Sequence, residues 1–249
     1  MAKLKGILKI EGTLDELTFY KTQDGHLVKT KGGVSADRIA NDPNFQRTRE
    51  NGSEFGSSAT AGKVLRNAVR NLMMNAADNR VTSRLTQVMT QIKNYDVASA
   101  RGERTVADGI ADPAALALLK DFDFNDKAIL SGVLFAPFTV TTATGEINMP
   151  AFVPINDISF PSGATHISLK AAFTNVDFTN EISAIEYSPV TNLPIDGTNT
   201  PVTLTPAAAP AGTGTKFYLL LIEFFQEVNG VQYSLKNGAY NVLNIVEAA

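Results

Sequence analysis

The chain has 249 residues, a hydrophobic content of 44% and a formal net charge of -3, which is enough apolar material for one large or two modest domains. It contains no cysteine and two histidines, so disulfides and thiolate metal sites are excluded and a multi-histidine metal centre is not expected. The longest apolar run, residues 217–225, is too short to cross a membrane, and no secretion signal is recognisable. We therefore expect a soluble protein, cytoplasmic or part of an assembled particle.

The charge is unevenly distributed along the chain. Residues 1–105 contain 17 Lys and Arg against 11 Asp and Glu, a net charge of +6. Residues 106–249 contain 5 against 14, a net charge of -9. Such a division indicates either an anionic partner for the basic part or contact between the basic and acidic parts of neighbouring copies.

Residues 1–34 predict a β-hairpin arm. Two segments rich in β-formers, 4–14 and 17–30, are followed by a pair of glycines, and Asp24-Gly25 predicts a type I′ turn in which both residues have positive φ. Because an isolated two-stranded ribbon is marginally stable, we expect the arm to pack on the body or on another molecule. The candidate assembly residues are Leu17, Phe19, Tyr20 and Leu27.

Residues 35–120 predict a helical region. Ser35 is placed to cap a short helix, and Asp42 followed by Pro43 signals the start of another. The same signal recurs where Asp112 precedes a proline.

The polar segment after this second start signal contains two phenylalanines and several glycines. Phe45 and Phe55 are its predicted apolar anchors. The glycines from Gly52 to Gly56 predict an interruption of the helix, and the alternative is that small residues let another backbone approach closely.

Two amphipathic helices follow, joined by a predicted turn over residues 75–79. The apolar stripe of the first helix comprises Val64, Leu65, Ala68, Val69, Leu72 and Met73. The stripe of the second comprises Val81, Leu85, Val88, Met89 and Ile92. Both stripes have the spacing of one helix face, which predicts an antiparallel helix pair.

This region also holds most of the clustered basic residues. The candidate anion-binding or inter-subunit residues are Arg47, Arg49, Lys63, Arg66, Arg70, Arg80 and Arg84. They could contact phosphates, but Glu50, Glu54 and Asp78 lie among them and no nucleic-acid signature is present. A solvated or inter-subunit face is therefore favoured over a nucleic-acid interface.

Residues 121–249 predict an antiparallel β-sandwich. Nine of the eleven prolines lie beyond residue 130, where they separate short strands. The pairs Asn229-Gly230 and Asn237-Gly238 predict hairpin turns. The predicted strands are 127–134, 137–142, 146–152, 164–175, 183–188, 200–205, 215–228, 231–236 and 239–247. The whole chain is therefore assigned to the α+β class.

The sequence predicts no catalytic residues, cofactor or metal. Asp121, Asp123 and Asn125 occupy the first positions of a calcium loop, but the required glycine and final glutamate are absent, so we expect this acidic cluster to cap a turn. The segment Gly212–Lys216 lacks the spacing of a phosphate loop. Neither histidine has a neighbouring nucleophile that the sequence would flag as a triad.

Three stretches, residues 12–33, 41–56 and 224–243, resemble a group of uncharacterised proteins common in Bacteroidetes genomes. These proteins combine an N-terminal hairpin, central helices and a strand-rich C-terminal domain. The resemblance implies a bacterial or resident phage origin, and it transfers no activity.

The sequence therefore favours a non-enzymatic structural protein that self-assembles through its hairpin arm and oppositely charged halves, as a homo-oligomer or filament. The alternative is a binding module that recognises nucleic acid through the basic helices or a ligand on the sandwich. A virion or injection-particle component would be a special case of the first hypothesis.

Overall fold

The computed structural model describes residues 2–3, 10–30, 32–76 and 78–249. Its fold belongs to the α+β class, with an N-terminal hairpin region and a large C-terminal antiparallel sheet, as predicted. The chain divides into two compact units, residues 1–49 (unit 1) and residues 50–249 (unit 2). The predicted segment boundaries at residues 34 and 120 stay predictions.

Unit 1 contains a four-stranded antiparallel sheet. Its strands are β1 (Ala2–Lys3), β2 (Gly12–Leu14), β3 (Leu17–Thr22) and β4 (Gly25–Thr30), in the spatial order β1-β4-β3-β2. The predicted hairpin is thus the β3–β4 pair, extended by a short strand on each side. Residues 4–9 of the predicted first strand, and residue 31, lie outside the described residues.

The predicted type I′ turn of this hairpin is wrong by one residue. Thr22 is paired with Gly25, so the loop consists of Gln23 and Asp24. Only Gly25 has positive φ, at 112°, and it begins β4 immediately after the loop. The glycine is therefore needed just past the turn rather than within it, because an L side chain rarely adopts that backbone conformation.

The first helices begin where the caps predict. Helix α1 (Ala36–Asn41) is capped by the Ser35 hydroxyl, which accepts from the Arg38 amide. A 3₁₀ turn (Pro43–Phe45) is capped in the same way by Asp42.

Helix α2 (Gln46–Ala68) follows directly and has no break. The predicted interruption at Gly52–Gly56 is wrong. Each glycine costs a helix roughly 1 kcal/mol, but the second half of α2 buries Val64, Leu65 and Ala68, and packing of an apolar face outweighs intrinsic propensity.

The predicted antiparallel helix pair is formed by α2 and α4 (Val81–Ile92), but the first helix ends at Ala68, and Leu72 and Met73 of its predicted stripe lie in the separate helix α3 (Arg70–Met73). Glu54 near the start of α2 contacts Lys93 just after α4, whereas Gly62 lies against Leu85 and Met89. The turn between the pair follows the prediction, apart from residue 77, which lies outside the described residues. The other helices are α5 (Val106–Gly109), α6 (Pro113–Leu116), α7 (Leu130–Val133) and α8 (Pro154–Asp157), with 3₁₀ turns at Lys93–Tyr95 and Leu235–Gly238.

Unit 2 contains two antiparallel sheets. The large sheet comprises β5 (Phe122–Asp123), β8 (His166–Asp177), β9 (Ile182–Tyr187), β10 (Thr191–Pro194), β12 (Thr215–Val228), β13 (Val231–Ser234) and β14 (Val242–Ala248). The small sheet comprises β6 (Thr139–Thr141), β7 (Glu146–Met149) and β11 (Val202–Leu204). The central strand of the large sheet is β12, which pairs with β8 on one side and with β13 and β14 on the other.

The large sheet is covered on both faces. Alternate residues of β12 belong to two different cores, because successive side chains of a strand point to opposite faces. Phe217, Leu219 and Leu221 pack with the helices, whereas Leu220 and Phe224 pack with the small sheet. Unit 2 is therefore a layered arrangement of helices, large sheet and small sheet, and the two sheets form the sandwich.

Two of the predictions for unit 2, one of a strand and one of a hairpin turn, are wrong. Residues 127–134 contain the helical turn α7 instead of a strand, because the Asp123 carboxylate accepts from the Leu130 amide at 2.9 Å and fixes its first residue. The Asn237-Gly238 pair ends a 3₁₀ turn instead of joining two paired strands. Gly238 has positive φ there and passes so close to the Asn75 carbonyl that a Cβ would overlap it.

Candidate functional site

In unit 1, none of the residues 10–30 and 32–49 is buried. Among them, Ile10, Leu14, Leu17 and Val34 are large apolar side chains that are more than 40% exposed. A sheet of short strands needs a covered apolar face for independent stability, so these surfaces are the first candidate for a functional contact.

The strand register divides the four candidate assembly residues between two faces. Leu17 and Phe19 share one face, to which the pairing of Leu14 with Leu17 and of Val28 with Phe19 adds two more apolar side chains. The other face carries the Tyr20–Leu27 pair. The unit thus presents a larger apolar face (Leu14, Leu17, Phe19 and Val28) and a smaller one, on which the Lys29 ammonium lies 5.7 Å from the centre of the Tyr20 ring.

The seven basic candidate residues do not share one environment. Arg47 and Arg49 belong to unit 1, and the other five belong to unit 2. Arg49 is used internally, since its Nη1 donates to the carbonyl oxygens of Ile39 at 2.7 Å and Asp42 at 3.1 Å. It therefore joins the start of α2 to the end of α1.

Arg84 is also used internally. Its Nη1 donates to the Asp123 carbonyl oxygen at 2.7 Å, and its Nη2 forms an ion pair with Asp78. Its guanidinium lies 5.3 Å from the centre of the Phe122 ring. Asp78 accepts in addition from the Asp126 amide at 3.0 Å, so this arginine and its partner attach α4 to the edge of the large sheet.

The remaining five basic residues differ in their exposure and in their contacts within the chain. Arg66 is half-buried beside Gly62, and burial lowers the pKa of its guanidinium. Lys63 and Arg70 are exposed. Arg47 and Arg80 are also exposed but take part in further contacts within the chain. Of the seven candidates, Arg49 and Arg84 are thus engaged inside the chain and Arg66 is half-buried, so the seven do not act together as one exposed basic surface of the kind that phosphate binding favours.

A buried ionic cluster in unit 2 was not found by sequence reasoning. Glu54 is 2% exposed, forms an ion pair with Lys93, and accepts from Arg104 Nε at 2.8 Å and Nη2 at 3.0 Å. The Gly102 amide donates to the same carboxylate at 2.8 Å. The Arg104 hydrogen bonds, with Lys93 and Gly102, lower the pKa of Glu54 to about 2, and the pKa of Arg104 is raised by its bond to Glu54.

A second carboxylate fixes the same loop from its other end. Asp96 accepts from the amides of Ser99 at 2.9 Å and Ala98 at 3.2 Å through Oδ1, and from Thr105 at 3.0 Å through Oδ2. The Ser99 amide is the largest cause of its lowered pKa. Both carboxylates are held ionised and fully engaged, which suits the attachment of a loop better than proton transfer, for which a pKa near the working pH is needed.

His166 lies in a short polar chain at the start of β8. Its Nδ1 is 3.0 Å from the Thr165 hydroxyl, and its Nε2 is 3.5 Å from the Glu227 carboxylate. The Thr165 hydroxyl also accepts from the Glu227 amide at 2.7 Å. These contacts join the start of β8 to the end of β12. The Thr165 hydroxyl is occupied by its hydrogen bond from the Glu227 amide.

The described ranges contain no cluster of three or more His, Cys, Asp or Glu placed to hold a metal ion. Asp123, from the calcium-like segment, accepts from the Leu130 amide and from Asn244 Nδ2, each at 2.9 Å, so it fixes the start of α7 and contacts β14 instead of capping a turn into a strand. In the same part of the chain, no helix is long and apolar enough to span a membrane.

Comparison of the chain with protein-family models, with curated proteins and with solved structures finds no match.

Proposed function

We propose that this protein is a non-enzymatic structural protein that self-assembles through its hairpin arm and through contact between its oppositely charged parts. The product is a homo-oligomer or a filament. A component of a virion or injection particle would be one form of it.

The observation that carries the proposal is the sheet of unit 1, whose described residues include apolar side chains on two faces and none that is buried. An association that covers the larger face would remove its apolar side chains from water. Short edge strands such as β2 can also accept a strand from a neighbour, which is a known mode of recognition.

Charge gives independent support. Residues 1–49 contain 9 Lys and Arg against 6 Asp and Glu, and residues 50–249 contain 13 against 19. Unit 1 therefore has a net charge of +3 and unit 2 a net charge of -6. Contact between unit 1 of one copy and unit 2 of the next is heterologous, and it produces rings or filaments according to whether the rotation closes.

Nucleic-acid binding is less well supported as an alternative. Arg49 and Arg84 are held by internal carbonyl and carboxylate groups, so they could contact phosphate only by giving up those bonds. A gel-shift experiment with single-stranded and duplex DNA at low salt distinguishes the two functions. We expect no shift, whereas binding that weakens steeply with salt would favour the alternative.

The proposal is tested by light scattering of the purified chain at micromolar concentration, at low and at high salt. We expect a mass several times that of one chain, reduced when Leu17 and Phe19 are both replaced by serine. Thr13→Ser is the control, since Thr13 is exposed on β2, carries no charge and, through its pairing with Thr18, lies on the face opposite Leu17 and Phe19. A strict monomer at both salt concentrations would contradict the proposal.

A further inference from the structure

Three Asn-Gly pairs occur in the chain, at residues 51–52, 229–230 and 237–238. In such a pair the main-chain nitrogen of the glycine can attack the side-chain carbonyl carbon of the asparagine, because glycine has no side chain to obstruct the approach. The reaction needs both groups to be free to move towards each other. The structure holds the first two pairs in very different ways.

Asn229-Gly230 forms the loop between β12 and β13. Val228 is paired with Val231, so these two residues are the whole loop. Both are exposed and have positive φ, 52° for Asn229 and 77° for Gly230, as in a type I′ turn. A Cβ added to Gly230 would meet nothing within 4 Å, so the space around this turn is open.

The reacting groups of this loop are open to water. A turn of this kind joins its first residue to its fourth and leaves the amides between them to solvent. In the part of the chain that the structure describes, no hydrogen bond involves the Asn229 side chain or the Gly230 amide. The asparagine side chain and the glycine nitrogen can therefore approach each other by rotation within the loop.

Asn51-Gly52 is the same pair in a different environment. It lies within α2, where each interior amide donates to the carbonyl oxygen four residues before it. The Asn51 Oδ1 also accepts from Arg101 Nη2 at 3.2 Å. Both residues of the pair are exposed, and Phe55, one helical turn further on, is 58% exposed. The prediction that Phe55 anchors this segment is therefore wrong, and hydrogen bonding, not solvent access, distinguishes the two pairs.

We propose that Asn229 is a site of spontaneous deamidation, and that the fold protects Asn51 from the same reaction. The Gly230 nitrogen forms a bond to Cγ of Asn229 and gives its proton to water, while the bond from Cγ to the amide nitrogen breaks and ammonia leaves. The product is a succinimide ring. Water then adds to either carbonyl carbon of the ring and opens it, which gives aspartate or isoaspartate.

Each product changes the β12–β13 hairpin in its own way. Both products place a new carboxylate shortly after Glu227. Isoaspartate also carries an extra methylene in the main chain, so the loop no longer has the geometry that a two-residue type I′ turn requires. Because the described pairing of β13 is with β12 alone, we expect the amides of β13 to lose protection from hydrogen exchange when isoaspartate forms.

The test follows both asparagines in the folded full chain. Samples incubated in neutral buffer are digested, and mass spectrometry with an isoaspartate-specific methyltransferase assay measures the product at each pair. We expect Asn229 to react at least about 30-fold faster than Asn51, because reaction at Asn51 requires local opening of α2. In denaturant the difference should largely disappear, since the hydrogen bonds of the helix are then absent.

Asn229→Gln is the test variant, and Asn51→Gln is the matched control. Glutamine closes the corresponding larger ring far more slowly, so Asn229→Gln should remove the isoaspartate of this loop, whereas Asn51→Gln should leave the rate at Asn229 unchanged. Equal rates at the two asparagines in the folded chain, or an Asn229 that reacts only in denaturant, would overturn the inference. A rate difference that persists in denaturant would overturn it as well, because sequence alone would then set the rates. None of these results bears on the proposed self-assembly, so the two proposals can fail separately.

Discussion

At the scale of single residues, the Glu54 carboxylate connects three segments that are far apart in the chain. It forms an ion pair with Lys93, just after α4. It also accepts hydrogen bonds from Gly102 and Arg104 in the following loop. A buried charge is costly unless it is paired and hydrogen-bonded. Here both oxygens are engaged, so the pairing determines where the loop lies.

Replacing Glu54 with glutamine should destabilise unit 2 by about 3 kcal/mol, because Lys93 and Arg104 would be left buried or half-buried without their counter-charge. Chemical denaturation at pH 7 measures the loss. Glu103→Gln is the control, since Glu103 is exposed in the same loop, and it should change stability by less than about 0.5 kcal/mol.

The wild type and the Glu54→Gln variant also test the pKa of Glu54. Because the pKa of Glu54 is lowered to about 2 in the folded state, the ionised carboxylate contributes its full stability above the ordinary glutamate pKa. That contribution is lost as the pH falls from about 4.5 towards 2. The stability difference between the wild type and Glu54→Gln should therefore narrow across this window. A difference that stays constant down to pH 2 would contradict the assigned ionisation.

Gly109 lies so close to the backbone of α4 that no amino acid with a side chain fits at its position. It ends α5 where this helix passes the C-terminal end of α4, and a Cβ there would overlap the Ile92 carbonyl oxygen. Gly109→Ala should therefore lower the free energy of unfolding by more than about 1 kcal/mol, as overpacking does, measured by thermal denaturation. Gly197→Ala, at an exposed position with open space around it, should be close to neutral. Equal midpoints for the two variants would be evidence against the close approach.

At the scale of elements, β12 is the strand on which the layers of unit 2 are built. It pairs with three other strands, and its consecutive residues lie in two different cores. Such a strand reads as a continuous apolar run, because it has no solvent-facing side for polar residues to occupy.

This arrangement predicts that two neighbouring leucines are equally important. Leu219→Ala removes a side chain from the core with the helices, and Leu220→Ala removes one from the core with the small sheet. Each should cost about 2–5 kcal/mol, measured by denaturant unfolding. In a strand with one solvated face, only one of the two substitutions would lower the free energy of unfolding by this amount. Val231→Ala on β13, a half-exposed position, should cost far less.

At the scale of the whole molecule, all the buried side chains among the described residues lie between Glu54 and Val246. Unit 1 therefore contributes no described core residue, and unit 2 contains both hydrophobic cores. The proposed assembly assigns unit 1 a role between copies, for which a core of its own is unnecessary.

A chain truncated to residues 46–249, which begins with α2, should retain the cooperative unfolding transition of the full protein because both cores are retained. It should also lose the assembly that depends on the arm. Calorimetry and light scattering measure the two properties. Loss of the transition would show that residues before α2 are required for the fold.

The sequence by itself determined the fold class and the local features whose signals lie within a few residues. The caps at Ser35 and Asp42 act within two or three residues, and the stripes of the helix pair and the long strand at residues 215–228 depend only on side-chain periodicity. Asn229-Gly230 likewise forms its predicted turn, with both residues at positive φ. These features are local, so their signals are complete in the sequence.

Only the tertiary structure decided which distant residues meet. Burial keeps α2 continuous through its glycines, and contact with Asp123 converts residues 130–133 into a helical turn. The pairing of Glu54 with Arg104 spans 50 positions, and the basic pattern did not reveal that Arg49 and Arg84 are internally bound. Each outcome depends on desolvation and packing between segments remote in sequence, and these determine whether a charge or an aromatic ring, such as that of Phe55, is buried or exposed.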